Sequence, residues 1–531
     1  MKIIQVSNSD IQGGAARAAY RLHQGLIELQ QDSQMLTLEK RSLNNTVIKL
    51  DTPPVTPHSI YLSHIQNRYI NQNRSPLSNT SFTLPYPGID LTHVPADIIN
   101  LHWVAYFQSP VTIHHLLDQK PVIWTLHDMW AFTGGCHYSA GCPQYQQDCA
   151  HCPQLNADPH SITAAILSDR LDLLSNTPLV IVTPSQWLAD CARKSRVLKN
   201  QRIEVIPYSL ETDIFTPTHR SIAKQELGIT NDPIALLLGA DNGNEQRKGF
   251  AELLEALKIC LQNPHFQALI AAQKLQLWVF GIPNDCLTDL PIPLHAFGNI
   301  TSDRHLSQIY AAADLFLLPS LEDNFPNTML ESMSCGTPVI AFHIGGIPDI
   351  VKDGVTGRTV PIGDGAAMAA AILECVFDES LRSRLGQASR QVMAENYALT
   401  TQAQRYLELY EDVIQQPGVD GSPTPRSRVS QRNLTSSPCQ QIDRPSTSMG
   451  RSFEQVFYPL ALELAAEELQ KVRQQVKKQE ARAASQIPQG SQAEIQELRD
   501  RLTAIETSKF WKLRSAWFKL KRWLGLSADL E

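Results

Sequence analysis

The chain has 531 residues, 43% of them hydrophobic and 19% charged, with a formal net charge of −7. That length and composition suit two or three domains with full cores, and the acidic balance argues against a nucleic-acid partner. The opening MKIIQVSNSD holds an apolar run too short for a secretory leader, and no run approaches about 18 apolar residues, so the expectation is no membrane span, a cytoplasmic location and mostly reduced cysteines.

Short apolar runs alternate with helical patterns from the start. KIIQVS predicts a strand, and Ala18, Leu22 and Leu26 fall on one face of a helix over 15–30. ADIINLHW, PVIWTL, LVIVTPS and RIEVIPYSL read as further strands bounded by turn residues. The pattern restarts with IALLLGA, LQLWVFG, LHAFGNI, DLFLLPS and PVIAFHIGG, with helices between them at 250–261 and 307–313. Two successive α/β units with parallel sheets imply two Rossmann-like domains facing a cleft. The chain divides on this pattern into 1–207, 208–399 and a helix at 400–416 returning to the first domain.

Residues 417–452, rich in Pro, Ser, Thr, Gly and Arg, predict a disordered linker. Residues 453–506 resume helical periodicity. Ile495, Leu498, Leu502 and Ile505 form a 3-4-3 seam that fits either a short coiled coil, with self-association, or a lone solvated helix. Residues 507–526 set Phe510, Leu513, Trp517, Leu520 and Leu524 among Lys509, Lys512, Arg514, Lys519, Lys521 and Arg522. A basic, aromatic amphipathic helix of this kind suits an anionic membrane surface, with docking on a protein as the alternative.

The most telling stretch is SLEDNFPNTMLESMSCGTPVIAFHIGGIP at 320–348. Pro326 is tolerated only in a helix's first turn. A helix beginning there presents free N–H groups and a positive dipole end beneath Asn324 and Phe325, which makes an anion site. Asp323 lies just before this helix and Glu331 two turns into it, facing the cleft, placed to accept from hydroxyls on either side of a diphosphate. The segment resembles the acidic-x7-acidic motif of family 4 (group 1) glycosyltransferases, retaining enzymes of the GT-B fold, and the resemblance covers roughly residues 1–413. Two departures stand out. Asp323 occupies a position usually held by Glu, with Glu322 beside it as the other claimant, and Gly239-Ala240 stands where Gly-Arg is usual.

The resemblance implies roles for the remaining groups. Gly13-Gly14, after the first strand, faces the donor diphosphate across the cleft. Arg247 and Lys248, in QRKGF, neutralise the leaving diphosphate. His127, in TLHD at a strand end, lies near the reacting sugar, the structural alternative being a histidine packed in the cleft wall. Ile300, in FGNI, contacts the nucleotide base through its backbone. The catalytic set is then His127, Lys248, Asp323 and Glu331, with Asn324 and Phe325 joining the donor contacts. Catalysis needs no cofactor on this reading. The donor is a nucleoside diphosphate sugar, and the acceptor is a glycan or lipid-linked molecule at the inner face of the membrane.

The stretch TLHDMWAFTGGCHYSAGC…CAHCPQL resembles a subgroup acting in colanic-acid-like exopolysaccharide assembly. It gathers Cys136, Cys142, Cys149 and Cys152. The C-x2-C pair suits a structural zinc, with disulfides or packed free thiols as alternatives. Two rival functions stay open: a GT-B epimerase acting on UDP-N-acetylhexosamine, and a degenerate GT-B domain serving as a membrane scaffold.

Overall fold

The computed structural model describes residues 1–51, 57–76, 78, 81–86, 88–240, 245–281, 287–415 and 452–483. The expected linker up to residue 451, the 3-4-3 seam and the basic tail lie outside the described residues.

Two parallel sheets organise the chain. The first contains β1 (Lys2–Ser9), β2 (Asp32–Glu39), β3 (Val47–Lys49), β4 (Ile98–Leu101), β5 (Val122–Thr125), β6 (Val180–Thr183) and β7 (Arg202–Val205), in the order β3-β2-β1-β4-β5-β6-β7. The second contains β8 (Ile234–Ala240), β9 (Leu275–Gly281), β10 (Leu294–Gly298), β11 (Leu315–Leu318), β12 (Val339–Phe342) and β13 (Gly357–Val360), in the order β10-β9-β8-β11-β12-β13. Every pairing is parallel. Strands β4, β5, β6, β11 and β12 are buried along their whole length, because helices cover both faces of a doubly wound sheet. The expected pair of Rossmann-like units is thus observed. Strands β2, β3 and β13 go beyond the expected set. Each is an edge or near-edge strand whose polar, part-exposed residues carry no apolar run.

The helix Leu399–Gln415 leaves the second lobe and packs against the first, on the helix Gly14–Glu28. Two tyrosines anchor it. Tyr410 accepts at its hydroxyl from Gln5 Nε2 (3.2 Å) and Asn100 Nδ2 (2.9 Å), and the Tyr406 hydroxyl bonds Thr125 Oγ1 at 3.0 Å. Large aromatic bodies fill the core while their polar tips meet the few polar positions of β1, β4 and β5.

A further helix, Phe453–Ala483, docks on the first lobe. Phe453, Val456, Phe457, Leu460, Ala461 and Ala465 are buried in one cluster with Leu62, Ile65, Ile162 and Ile166. The spacing of 3 and 4 puts these side chains on one stripe, and the Phe453 amide donates to Asp169 Oδ2 at 3.0 Å. This segment is therefore part of the first lobe. Among the described residues, no helix is long and apolar enough to cross a membrane.

Candidate functional site

The helix expected at Pro326 runs Asn327–Ser334, with Pro326 as its N-cap. Glu331 consequently stands in its second turn. Its first residue meets the first residue of another helix: Asn327 Nδ2 donates to Gly14 O at 2.9 Å. Gly13 caps that second helix at φ 88°, a left-handed backbone that a glycine adopts without strain. Two helix N-termini, both positive dipole ends, therefore face each other between the lobes, an arrangement that favours an anion between them.

Asp323 is buried and carries two cations. It accepts from Lys248 Nζ at 2.9 Å and from Arg247 Nη1 at 3.4 Å. Burial pushes its carboxyl up, but Lys248 and then Arg247 outweigh that and hold it below the usual carboxylate range. Arg247 and Lys248 sit in a short turn closed by Gly249, whose φ is 68° and whose added Cβ would lie 1.8 Å from Pro319 O. Only glycine fits there, which fixes the two cations above β11. Arg247 also pairs with Glu245 at 2.7 Å and lies over the Tyr138 ring, 4.9 Å from its centroid.

Glu322 does something different. Its carboxylate accepts from the Ser139 and Ala140 amides at 3.1 and 3.0 Å, stitching the cysteine-bearing loop of the first lobe to the second. Burial raises its pKa.

Glu331 is 3% exposed and does not simply face an open cleft. Arg21, 1% exposed on the helix Gly14–Glu28, donates Nη2 to Glu331 Oε1 at 3.0 Å, Nε to Glu211 Oε2 at 2.9 Å and Nη1 to Asn327 Oδ1 at 3.2 Å. Burial disfavours the guanidinium charge, yet Glu211 and Glu331 together raise its pKa. The Tyr310 hydroxyl approaches Glu331 Oε2 at 3.4 Å. A carboxylate offers about four lone-pair sites, so these contacts leave Glu331 acceptor capacity to spare.

His127 lies at the end of β5 in a chain of polar groups. Its Nδ1 bonds the Tyr208 hydroxyl at 2.6 Å and its Nε2 bonds His102 Nδ1 at 3.0 Å, while His102 Nε2 bonds Gln5 Oε1 at 2.7 Å. Burial lowers the His127 pKa to about 4, so the ring is neutral at neutral pH. Both nitrogens are engaged within the protein. In this conformation a sugar hydroxyl finds no free donor on the ring. Asn324 and Phe325 also sit in the lobe interface. Asn324 Oδ1 accepts from Ser185 Oγ (2.6 Å), its Nδ2 donates to His127 O (3.1 Å), and Phe325 meets the Tyr208 ring edge-on at 5.5 Å. Ile300, beyond β10, packs partly against the second core.

Residues 232–378, which span β8 to β13 with Arg247, Lys248, Asp323 and Glu331, match the family model described as "Glycosyl transferases group 1". The chain carries a group 1 glycosyltransferase domain. The D-inositol 3-phosphate glycosyltransferase of Stackebrandtia nassauensis is 28% identical over 240 residues, 43% of this chain and 52% of that protein. This chain thus spans about half the length of that relative. The putative colanic acid biosynthesis glycosyl transferase WcaC of Escherichia coli K12 is 25% identical over 427 residues, 74% of this chain and 98% of WcaC. Among solved structures, Anabaena HepE superposes with a TM-score of 0.52 at 16% identity, covering 78% of this chain and all of HepE. That likeness is one of fold, and the fold is GT-B.

The four window cysteines lie in the first lobe and line one small cavity. Cys136, Cys142, Cys149 and Cys152 are free thiols, and that cavity measures about 20 Å³ beside Tyr145 and Thr163. Among the described residues, no three His, Cys, Asp or Glu side chains already stand in metal-holding geometry. Arg21, Tyr138, Ser185 and Glu211 were not singled out from the sequence. For Arg21 a signal existed: Gly14, Ala18 and Gly25 share its helix face, a row of small residues interrupted by one arginine. Such a row lets another element approach closely.

Proposed function

We propose that this protein is a retaining glycosyltransferase. It moves a sugar from a nucleoside diphosphate donor to a glycan or lipid-linked acceptor in polysaccharide biosynthesis, with protein cations rather than a metal ion balancing the leaving diphosphate. The observation that carries this reading is the cluster of positive groups around residues 323–327: Lys248, Arg247 and two facing helix N-termini. The diphosphate takes its place among them, and Lys248 and Arg247 then turn from Asp323 to the phosphate oxygens. Asp323 and Glu331 accept from donor hydroxyls, and Arg21 keeps Glu331 aimed. HepE was solved with UDP-glucose, a donor of the same chemical class, and WcaC by its name belongs to colanic acid assembly. The basic, tryptophan-bearing segment 507–526 brings the enzyme to an anionic membrane surface at the cytoplasmic face.

The test is release of nucleoside diphosphate from a panel of nucleotide sugars, with and without lipid-linked acceptors. Release with one donor class, lost in Glu331→Gln, supports the reading. Diphosphate binding without turnover of any donor points to the scaffold, and epimer interconversion without acceptor points to the epimerase.

A further inference from the structure

We propose that Cys136, Cys142, Cys149 and Cys152 bind one zinc ion as four thiolates, and that the buried guanidinium of Arg170 is the counter-charge of that centre. Arg170 is 1% exposed. It donates Nη1 to Thr133 O and lies 4.3 Å from the centroid of the Trp130 ring, but Nη2 has no hydrogen-bond partner. A buried cation with an idle donor is costly unless an anion stands close. Asp128 and Asp169 act on Arg170 as carboxylates, and Cys136 and Cys149 are the further groups whose charge would reach it. As neutral thiols they supply no charge. As metal thiolates they do.

The backbone gives a second observation. Cys149 has φ 53°, a left-handed conformation rare for residues other than Gly, Asn and Asp. A glycine would relieve that strain, although Ala140 in the same loop shares the conformation. The turn is held by Thr163 Oγ1 donating to Cys149 O at 2.6 Å and by the Cys149 amide donating to Gln144 O at 3.2 Å. It starts the C-x2-C pair, whose other member is Cys152.

The chemistry balances simply. Four thiols release four protons, and Zn²⁺ with four thiolates carries a net charge of −2, which Arg170 offsets in part. Metal binding displaces the thiol protons. A tetrahedral zinc would take each sulfur at about 2.3 Å. The four thiols line a shared cavity, and each side chain has three staggered χ1 wells open to it in principle. The centre would staple the loop whose Tyr138 supports Arg247 and whose Ser139 and Ala140 amides hold Glu322.

The test uses the full chain, purified without chelator. Elemental analysis should give one zinc per chain, and growth with cobalt should give the intense visible bands of a tetrahedral cobalt thiolate. Cys149→Ser and Cys152→Ser should lose the metal. Arg170→Gln should keep the ligands but release zinc to a chelator about 10–100-fold faster, the range seen for groups that support metal ligands. Four thiols that titrate freely in a metal-free native protein overturn the proposal. So does a mass deficit showing disulfides, or cobalt-grown wild type without thiolate bands. Donor turnover is not needed for any of these readouts, so they stand apart from the transferase assay.

Discussion

Arg21→Met tests the bond between the lobes most directly. The side chain is 1% exposed and serves Glu331, Glu211 and Asn327 at 3.0, 2.9 and 3.2 Å. Methionine keeps much of the volume and removes the charge, leaving Glu331 buried with only the Tyr310 hydroxyl at 3.4 Å. Breaking a buried pair by removing one partner costs about 3–5 kcal/mol, a large share of a typical total of about 5–15 kcal/mol. Urea unfolding should show this as a lower midpoint. The double variant Arg21→Met/Glu331→Gln should recover at least about 1 kcal/mol of the summed losses, because neutral glutamine no longer strands a charge. An unchanged midpoint for Arg21→Met, or strictly additive losses in the double variant, refutes the account of Glu331 as a carboxylate held by Arg21.

Lys248→Ala should weaken nucleoside diphosphate binding in calorimetry by about 1.5–3 kcal/mol while leaving free nucleoside nearly unaffected; equal losses for both ligands contradict the phosphate role. Asp323→Asn should lower donor turnover more than Glu322→Gln, since Glu322 serves backbone amides of the loop. Burial lowers His127 and His23 to about 4 and His102 well below its ordinary value. Unfolded, these groups bind protons near 6.5. The unfolded state therefore holds more protons between about 6.5 and about 4, and stability falls as pH drops through that window, by ~3 kcal/mol for His127 alone. Urea midpoints at about pH 7 and about pH 5 check the sign; a higher midpoint at the lower pH contradicts it. Phe457→Ala, at a fully buried position, should cost about 3–5 kcal/mol and raise hydrogen exchange along 453–483; unchanged protection would mean the docked helix is held by other contacts.

Much of the fold was readable because buried parallel strands write themselves as apolar runs. IINL, VIWT, VIVT, LFLL and VIAF are each buried throughout. The acidic pair and the Arg247-Lys248 turn were readable because Pro326 and Gly249 punctuate them. Contacts between lobes were not. Arg21 and Glu331 lie 310 residues apart, and no local period joins them. Glu322 looked like a rival for Asp323, yet its partners are amides 183 and 182 residues upstream. His127 read as a ligand contact because strand ends line clefts, whereas Tyr208 and His102 occupy its nitrogens.

The two places where the backbone passes between lobes lie side by side. Ile206 belongs to the first lobe's core and Tyr208 to the second's, while Met393 belongs to the second and Ala403 to the first. Leu210 bridges Ala398 in parallel, its amide donating to Tyr397 O at 3.0 Å. Two bonded crossings side by side are the kind of short connection about which hinge closures turn. The first lobe is the one that carries Phe453–Ala483. The helix Phe453–Ala483 and the return helix Leu399–Gln415 thus both load onto the first lobe, while, among the described residues, the second lobe is joined to it only through the paired crossings and the interface side chains.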